Sequence, residues 1–241
     1  MKLIVENTEA DMHESALHIL LGAMMQDKRV NISLTSGESP KPLYKMLAPL
    51  VRDKPQFEDV HYYLFDEAPH PNGPYGPNWD MMHEMFFDEA GIPDERIHDT
   101  MPENWETYDW EIREAGGIDV MLIGLGFDGH FCSNCPRCTP FDSYTYEQDC
   151  AKRRELNPGY PLREGYPTAY TMGPKSLMRV RHLVMIVNGR HKAHILKRML
   201  DEPVSGDLPA TILKLHPNFT IICDGEAASE LDLSTYPKHR L

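Results

Sequence analysis

The stretch "IDVMLIGLGFDGH", residues 118–130, is an apolar run that closes on two glycines and then an Asp-Gly-His triplet. A short run of apolar, partly branched residues bounded by glycine is the pattern of a strand buried on both faces. Four other stretches repeat it: "VNISLTSG" (30–37), "VHYYLFDE" (60–67), "HLVMIVNG" (182–189) and "FTIICDG" (219–225). Between them the spacing of apolar residues predicts helices over 8–26, 41–52, 78–89, 105–114, 191–200 and 227–231. Strands alternating with helices predict an α/β fold with a mostly parallel sheet and helices on both faces. A length of 241 residues suits one large domain, and a single domain over 1–241 is the expectation.

Composition narrows the function. Hydrophobic residues make up 41% and charged residues 25%, which suits a soluble chain with a filled core. The formal net charge of -13 would repel nucleic acid and anionic membrane surfaces. An anionic ligand must therefore be held locally, by a helix N-terminus and a few placed cations. No run approaches the roughly 18 apolar residues of a membrane span, and residues 1–7 lack a signal-peptide layout. The expected location is cytoplasmic, where the five cysteines would be reduced thiols.

In a parallel sheet ligands sit beyond the carboxyl ends of the strands, so the residues closing each strand are the first candidates. In "LTSGESPKPLYKML" (34–47), Ser36, Gly37 and Ser39 precede a helix start marked by Pro40. A strand, a loop of small residues and a helix N-terminus can cradle a phosphate. The same residues also suit an ordinary turn with a serine cap. Asp66 and Glu67 close the second strand, where a partly desolvated carboxylate could serve as a general base. Side chains alternate along a strand, so the two should point in different directions. Beyond Gly124 and Gly126, Asp128 is placed to orient His130 for acid-base work near neutral pH. Lys192 opens the helix after the fourth strand, where the helix dipole disfavours a cation and an anionic partner would explain one.

Cys132, Cys135 and Cys138 form a C-x2-C-x2-C run. A metal site would need a fourth ligand, for which His130 is near enough, but neither a second knuckle nor a fourth cysteine with proline follows. Thiols in a loop, with no metal, are the expectation.

Five motifs in order resemble the glucosamine-6-phosphate deaminase and 6-phosphogluconolactonase superfamily over nearly the whole length. They are "LTSGESP", "FDE", "GLGFDGH", "YTMGPKSLMRVRHLVMIVNGRHKAHIL" and "LPATILKLHPNFTIICDGEAASEL", the last two closer to the deaminase branch. The resemblance implies a modified Rossmann-like fold, a sugar 6-phosphate as partner, no cofactor and no metal. It implies that Ser36, Gly37 and Ser39 with Lys192 hold the phosphate, with Glu67 and Gly126 lining the substrate. Asp66 would move a proton between C2 and C1, and His130, oriented by Asp128, would assist ring opening. With an amino sugar the same rearrangement expels ammonia.

The chain also departs from the family pattern. Family deaminases carry a glutamate five residues after the motif histidine, and Cys135 stands there instead. A thiol with a reference pKa of ~8.5 cannot replace a carboxylate beside an imidazolium. Glu38 replaces a glycine in the phosphate loop and should point outward, and Arg163 lies near the segment of the family's phosphate-binding arginine. Three readings follow: an isomerase or deaminase of an amino-hexose 6-phosphate, a lactone hydrolase, and a non-catalytic sugar-phosphate sensor. The hexose epimer, a homo-oligomeric state and an effector stay open, and 139–167 has no readable pattern.

Overall fold

Seven strands of the computed structural model form one parallel sheet in the order β1-β10-β9-β6-β2-β3-β5, over the described residues 1–73, 75–158 and 165–236. These strands are β1 (Lys2–Glu6), β2 (Val30–Ser33), β3 (Val60–Tyr63), β5 (Ile97–His98), β6 (Val120–Gly124), β9 (His182–Val187) and β10 (Phe219–Asp224). Alternation within each strand divides the core between two faces. Along β6 and β9, Leu122, Val184 and Ile186 join a cluster with α1 (Glu9–Met24) and α2 (Lys41–Val51). Met121, Ile123, Leu183 and Met185 face the opposite cluster, with α5 (Tyr108–Glu114) and α8 (Ala193–Asp201). The expected α/β class and helix-covered parallel sheet are therefore present.

Local side-chain and backbone bonds set several element ends. Thr8 caps α1 by accepting from the Asp11 amide at 3.1 Å, and Asp11 returns the bond to the Thr8 amide at 3.1 Å. The helix expected over 78–89 is α3 (Pro77–Met82), a π-helical turn (His83–Phe87) and α4 (Asp88–Ala90). The helix expected at 227–231 is a series of turns, because Asp224 binds the Ala227 amide at 2.7 Å and offers the backbone a local alternative.

A second, antiparallel sheet was not foreseen: β4 (Asp66–Glu67), β8 (Thr168–Thr171) and β7 (Tyr146–Asp149), in the order β4-β8-β7. The stretch 60–67 is thus not one strand. It leaves the parallel sheet after Tyr63 and re-pairs through Asp66 opposite Thr171. The patternless 139–167 contains β7 and α6 (Cys150–Leu156), while Arg163 lies outside the described residues. No helix among the described residues is long and apolar enough to cross a membrane.

The strand order places the ligand crevice. From β2 the chain builds outward through β3 and β5, then returns to place β6 on the other side of β2 and continues through β9. The loops after β2 and β6 therefore diverge, opening a crevice at the carboxyl ends of two adjacent strands.

Candidate active site

One wall of that crevice is the loop after β2. Gly37 has φ of 111°, a left-handed conformation that glycine adopts without strain. The loop is fixed from behind: the Tyr44 hydroxyl donates to the Thr35 carbonyl at 2.6 Å, and His13 Nε2 donates to the Ser39 carbonyl at 2.8 Å. A cleft of about 110 Å³ results, lined by Ser36, Gly37, Ser39, Gly124, Leu125 and Lys192. Lys192 ends the 3-10 turn Arg190–Lys192 after β9, and its Nζ donates to the Leu125 carbonyl at 2.7 Å. Burial lowers its pKa, and Asp128 opposes that shift. A half-buried ammonium across from serine hydroxyls and a helix start suits a phosphate group. Glu38 sits at the rim of the same cleft, its side chain 85% exposed and paired with Lys41 at 2.6 Å.

The base expected at Asp66 sits where β4 begins. Its Oδ2 accepts from Ser133 Oγ at 2.7 Å and its Oδ1 from Asn78 Nδ2 at 3.1 Å. Burial raises its pKa, against the lowering effects of the Ser133 hydrogen bond and the charges of Arg153 and His130. A carboxylate with raised basicity and two fixed donors is oriented for proton abstraction. Asn78 also accepts from Ser36 Oγ at 2.9 Å. One amide therefore ties the loop after β2 to Asp66.

His130 and Asp128 form the third component. Asp128 Oδ1 lies 2.6 Å from His130 Nδ1 and accepts from the His130 amide at 3.0 Å. Burial would raise the Asp128 pKa, but the hydrogen bond and charge of His130 outweigh it and hold the carboxyl below its ordinary value. The carboxylate accepts from Nδ1–H, which fixes the tautomer and orientation of the imidazole. Gly126 makes this possible. A Cβ there would lie 2.0 Å from His130 Nδ1, so Gly126, expected along the substrate, instead makes room for the imidazole.

Glu67, also expected at the substrate, turns away as strand alternation requires. Its Oε1 accepts from the amides of Ala68 (2.8 Å) and Asn78 (3.1 Å), and its Oε2 from Trp79 (2.8 Å). Burial raises its pKa to about 7 against those three bonds. Its role is to anchor the start of α3, which carries Asn78.

Sequence reasoning missed Asn78, Ser133 and the second sheet. The one available clue was Pro77, which marks a helix start directly before Asn78. Cys135, at the position of the family glutamate, is fully buried, and its sulfur accepts from Arg153 at 3.1 Å. Among the described residues no group of three or more His, Cys, Asp or Glu is arranged to hold a metal ion.

Residues 6–221 match the family model described as glucosamine-6-phosphate isomerases/6-phosphogluconolactonase. The chain belongs to this family. It is 31% identical over 240 residues to the glucosamine-6-phosphate deaminase of Shouchella clausii, covering 95% of this chain and 97% of that one. It is 32% identical over 236 residues to the glucosamine-6-phosphate deaminase of Lysinibacillus sphaericus, covering 93% and 99%. Among solved structures, a monomeric glucosamine-6-phosphate deaminase superposes with a TM-score of 0.80 at 24% identity, covering 96% and 100%. The 6-phosphogluconolactonase of Trypanosoma brucei superposes at 0.72 with 19% identity, covering 95% and 98%. These structural likenesses extend the fold to both branches of the family.

Proposed function

We propose that the protein isomerises and deaminates an amino-hexose 6-phosphate, converting glucosamine 6-phosphate or its galacto epimer to the ketose 6-phosphate and ammonia. The observation that carries this reading is the Asn78 bridge, which ties Ser36 of the phosphate loop to Asp66. A base held in register with an anion cradle suits a proton transfer at the far end of a phosphosugar. The names of the full-length relatives, glucosamine-6-phosphate deaminases, support the same substrate.

In this reading Ser36, Gly37, Ser39 and Lys192 hold the phosphate. His130 Nε2 moves the proton between the anomeric hydroxyl and the ring oxygen, opening the ring, while Asp128 stabilises the imidazolium. Asp66 takes the proton from C2 and returns it to C1, leaving an imine at C2. Water adds to that carbon and ammonia departs. Cys135 is engaged with Arg153, and Asp128 carries the task of orienting His130.

Proton NMR of glucosamine 6-phosphate and galactosamine 6-phosphate in D2O, with an ammonia assay alongside, tests the proposal. Ketose with ammonia is the expected product. Absence of both deuterium exchange at C2 and ammonia with either sugar overturns it. Rapid hydrolysis of a phosphogluconolactone that survives Asp66→Asn would assign the protein to lactone hydrolysis.

A further inference from the structure

The segment "CPRC", 135–138, forms a turn that the sugar-phosphate chemistry does not use. The Cys138 amide donates to the Cys135 carbonyl at 3.4 Å, Pro136 takes the second position, and Arg137 the third with φ of 62°. That left-handed conformation is costly for arginine and is held by its guanidinium bonding the Leu156 carbonyl. In such a turn the first and last Cα lie within about 7 Å, close to the span a disulfide bridges. The Cys138 thiol folds back over the turn and donates to the Cys135 carbonyl at 3.5 Å, while the Cys135 thiol donates to the Ser133 carbonyl at 3.4 Å.

Their surroundings differ in a way that assigns roles. Cys135 is fully buried, with Arg153 donating to its sulfur at 3.1 Å and to Gln148 Oε1 at 2.6 Å. Cys138 is half-buried and lines an open cavity of about 540 Å³ with Arg137, Lys152 and Arg153. Two acids share that cavity, but Asp149 is committed to the amides of Ala151 and Lys152, and Glu147 accepts from Tyr170. Hydrogen bonding with the neighbouring Cys135, and then the charge of Arg153, outweigh burial and lower the Cys138 pKa to about 7. The same hydrogen bond, with burial, pushes the Cys135 thiol up. A reachable thiolate backed by a shielded thiol is the arrangement of an attacking and a resolving cysteine.

We propose that Cys138 and Cys135 form a thiol-disulfide exchange site that takes a small anionic disulfide. The Cys138 thiolate attacks one sulfur of the disulfide, forming a mixed disulfide and releasing one thiolate. Cys135 then attacks the Cys138 sulfur, and its proton passes to the second sulfur as that is expelled as a thiol. The two protein thiols are oxidised to one disulfide, and the small disulfide is reduced to two thiols.

The test uses the full chain, reduced, freed of reductant and exposed to oxidised glutathione at mildly alkaline pH, then quenched in acid for intact mass and peptide mapping. Cleavage after Arg113, Arg137 and Lys152 puts the two cysteines on separate peptides. Wild type should lose the mass of two hydrogens and join peptide 114–137 to 138–152, with fragmentation placing the bridge at Cys135 and Cys138. Cys135→Ser should stop at a glutathione adduct on Cys138, and Cys138→Ser should give neither product. Retention of all five free thiols in wild type overturns the proposal, as does a bridge through Cys132 or Cys150. Equal reactivity of Cys138→Ser and wild type also overturns it. If Cys135→Ser fails to fold, the wild-type map alone decides.

Discussion

The two sides of the cleft are built differently. The phosphate side, Ser36 to Ser39 with Lys192, comes from loops that leave adjacent regions of the parallel sheet, and each piece is local to its own strand end. The chemical side depends on residues brought from afar: Asp66 on a strand of the second sheet, Ser133 sixty-seven positions on, and Asn78 from the start of α3. Binding is thus assembled mostly from contacts local to each loop, with Ser36 joined through Asn78 to the single network around Asp66. Damage on the phosphate side should therefore appear in KM, and damage on the chemical side in kcat.

The largest break should come from Asp66→Asn, which removes the proposed base but keeps the shape. Deuterium exchange at C2, followed by NMR, should fall by about 10²–10⁴-fold. A retained exchange rate would show that another group is the base. Next, Gly126→Ala places a methyl where the His130 ring lies. We expect kcat to fall about 100-fold through the displaced imidazole and stability to drop by about 1–3 kcal/mol, measured by steady-state kinetics and thermal melts.

On the phosphate side, Lys192→Ala should raise KM about 10- to 100-fold, as the loss of a charge-assisted bond of roughly 1.5–3 kcal/mol implies. Its kcat should change little, and an equal loss in kcat would erase the division between the two sides. Ser133→Ala sharpens the comparison through pH. The Asp66 pKa is raised by burial and partly restored by the Ser133 bond, and activity disappears as pH falls through it because the base becomes protonated. Without the serine donor that acid limb should move to higher pH, with at most about a tenfold loss at the plateau. An unmoved limb would mean that another group controls it. The smallest effect belongs to Glu38→Gln, whose exposed ion pair with Lys41 should leave KM within about twofold. A larger change would place Glu38 at the substrate.

Much of the fold was legible because burial on both faces forces long apolar runs, and β2, β6, β9 and β10 are such runs. The second sheet was not, because β4 has two residues and β7 reads Tyr-Glu-Gln-Asp, without an apolar face to detect. The cysteines illustrate the same limit. Their spacing suggested loop thiols, yet the turn at Arg137 and the guanidinium of Arg153 place Cys135 and Cys138 together in a shared electrostatic setting.

By itself the sequence determined the strand-helix alternation, the residues at the strand ends and the His130–Asp128 pair, because these depend on periodicity and on neighbours two to four positions apart. Tertiary structure alone decided that Glu67 faces inward, that Gly126 serves His130, and that Asn78 joins the phosphate loop to Asp66. The physical reason is that such contacts close long loops. Their geometry is set by how two sheets and a helix start meet, which no local spacing records.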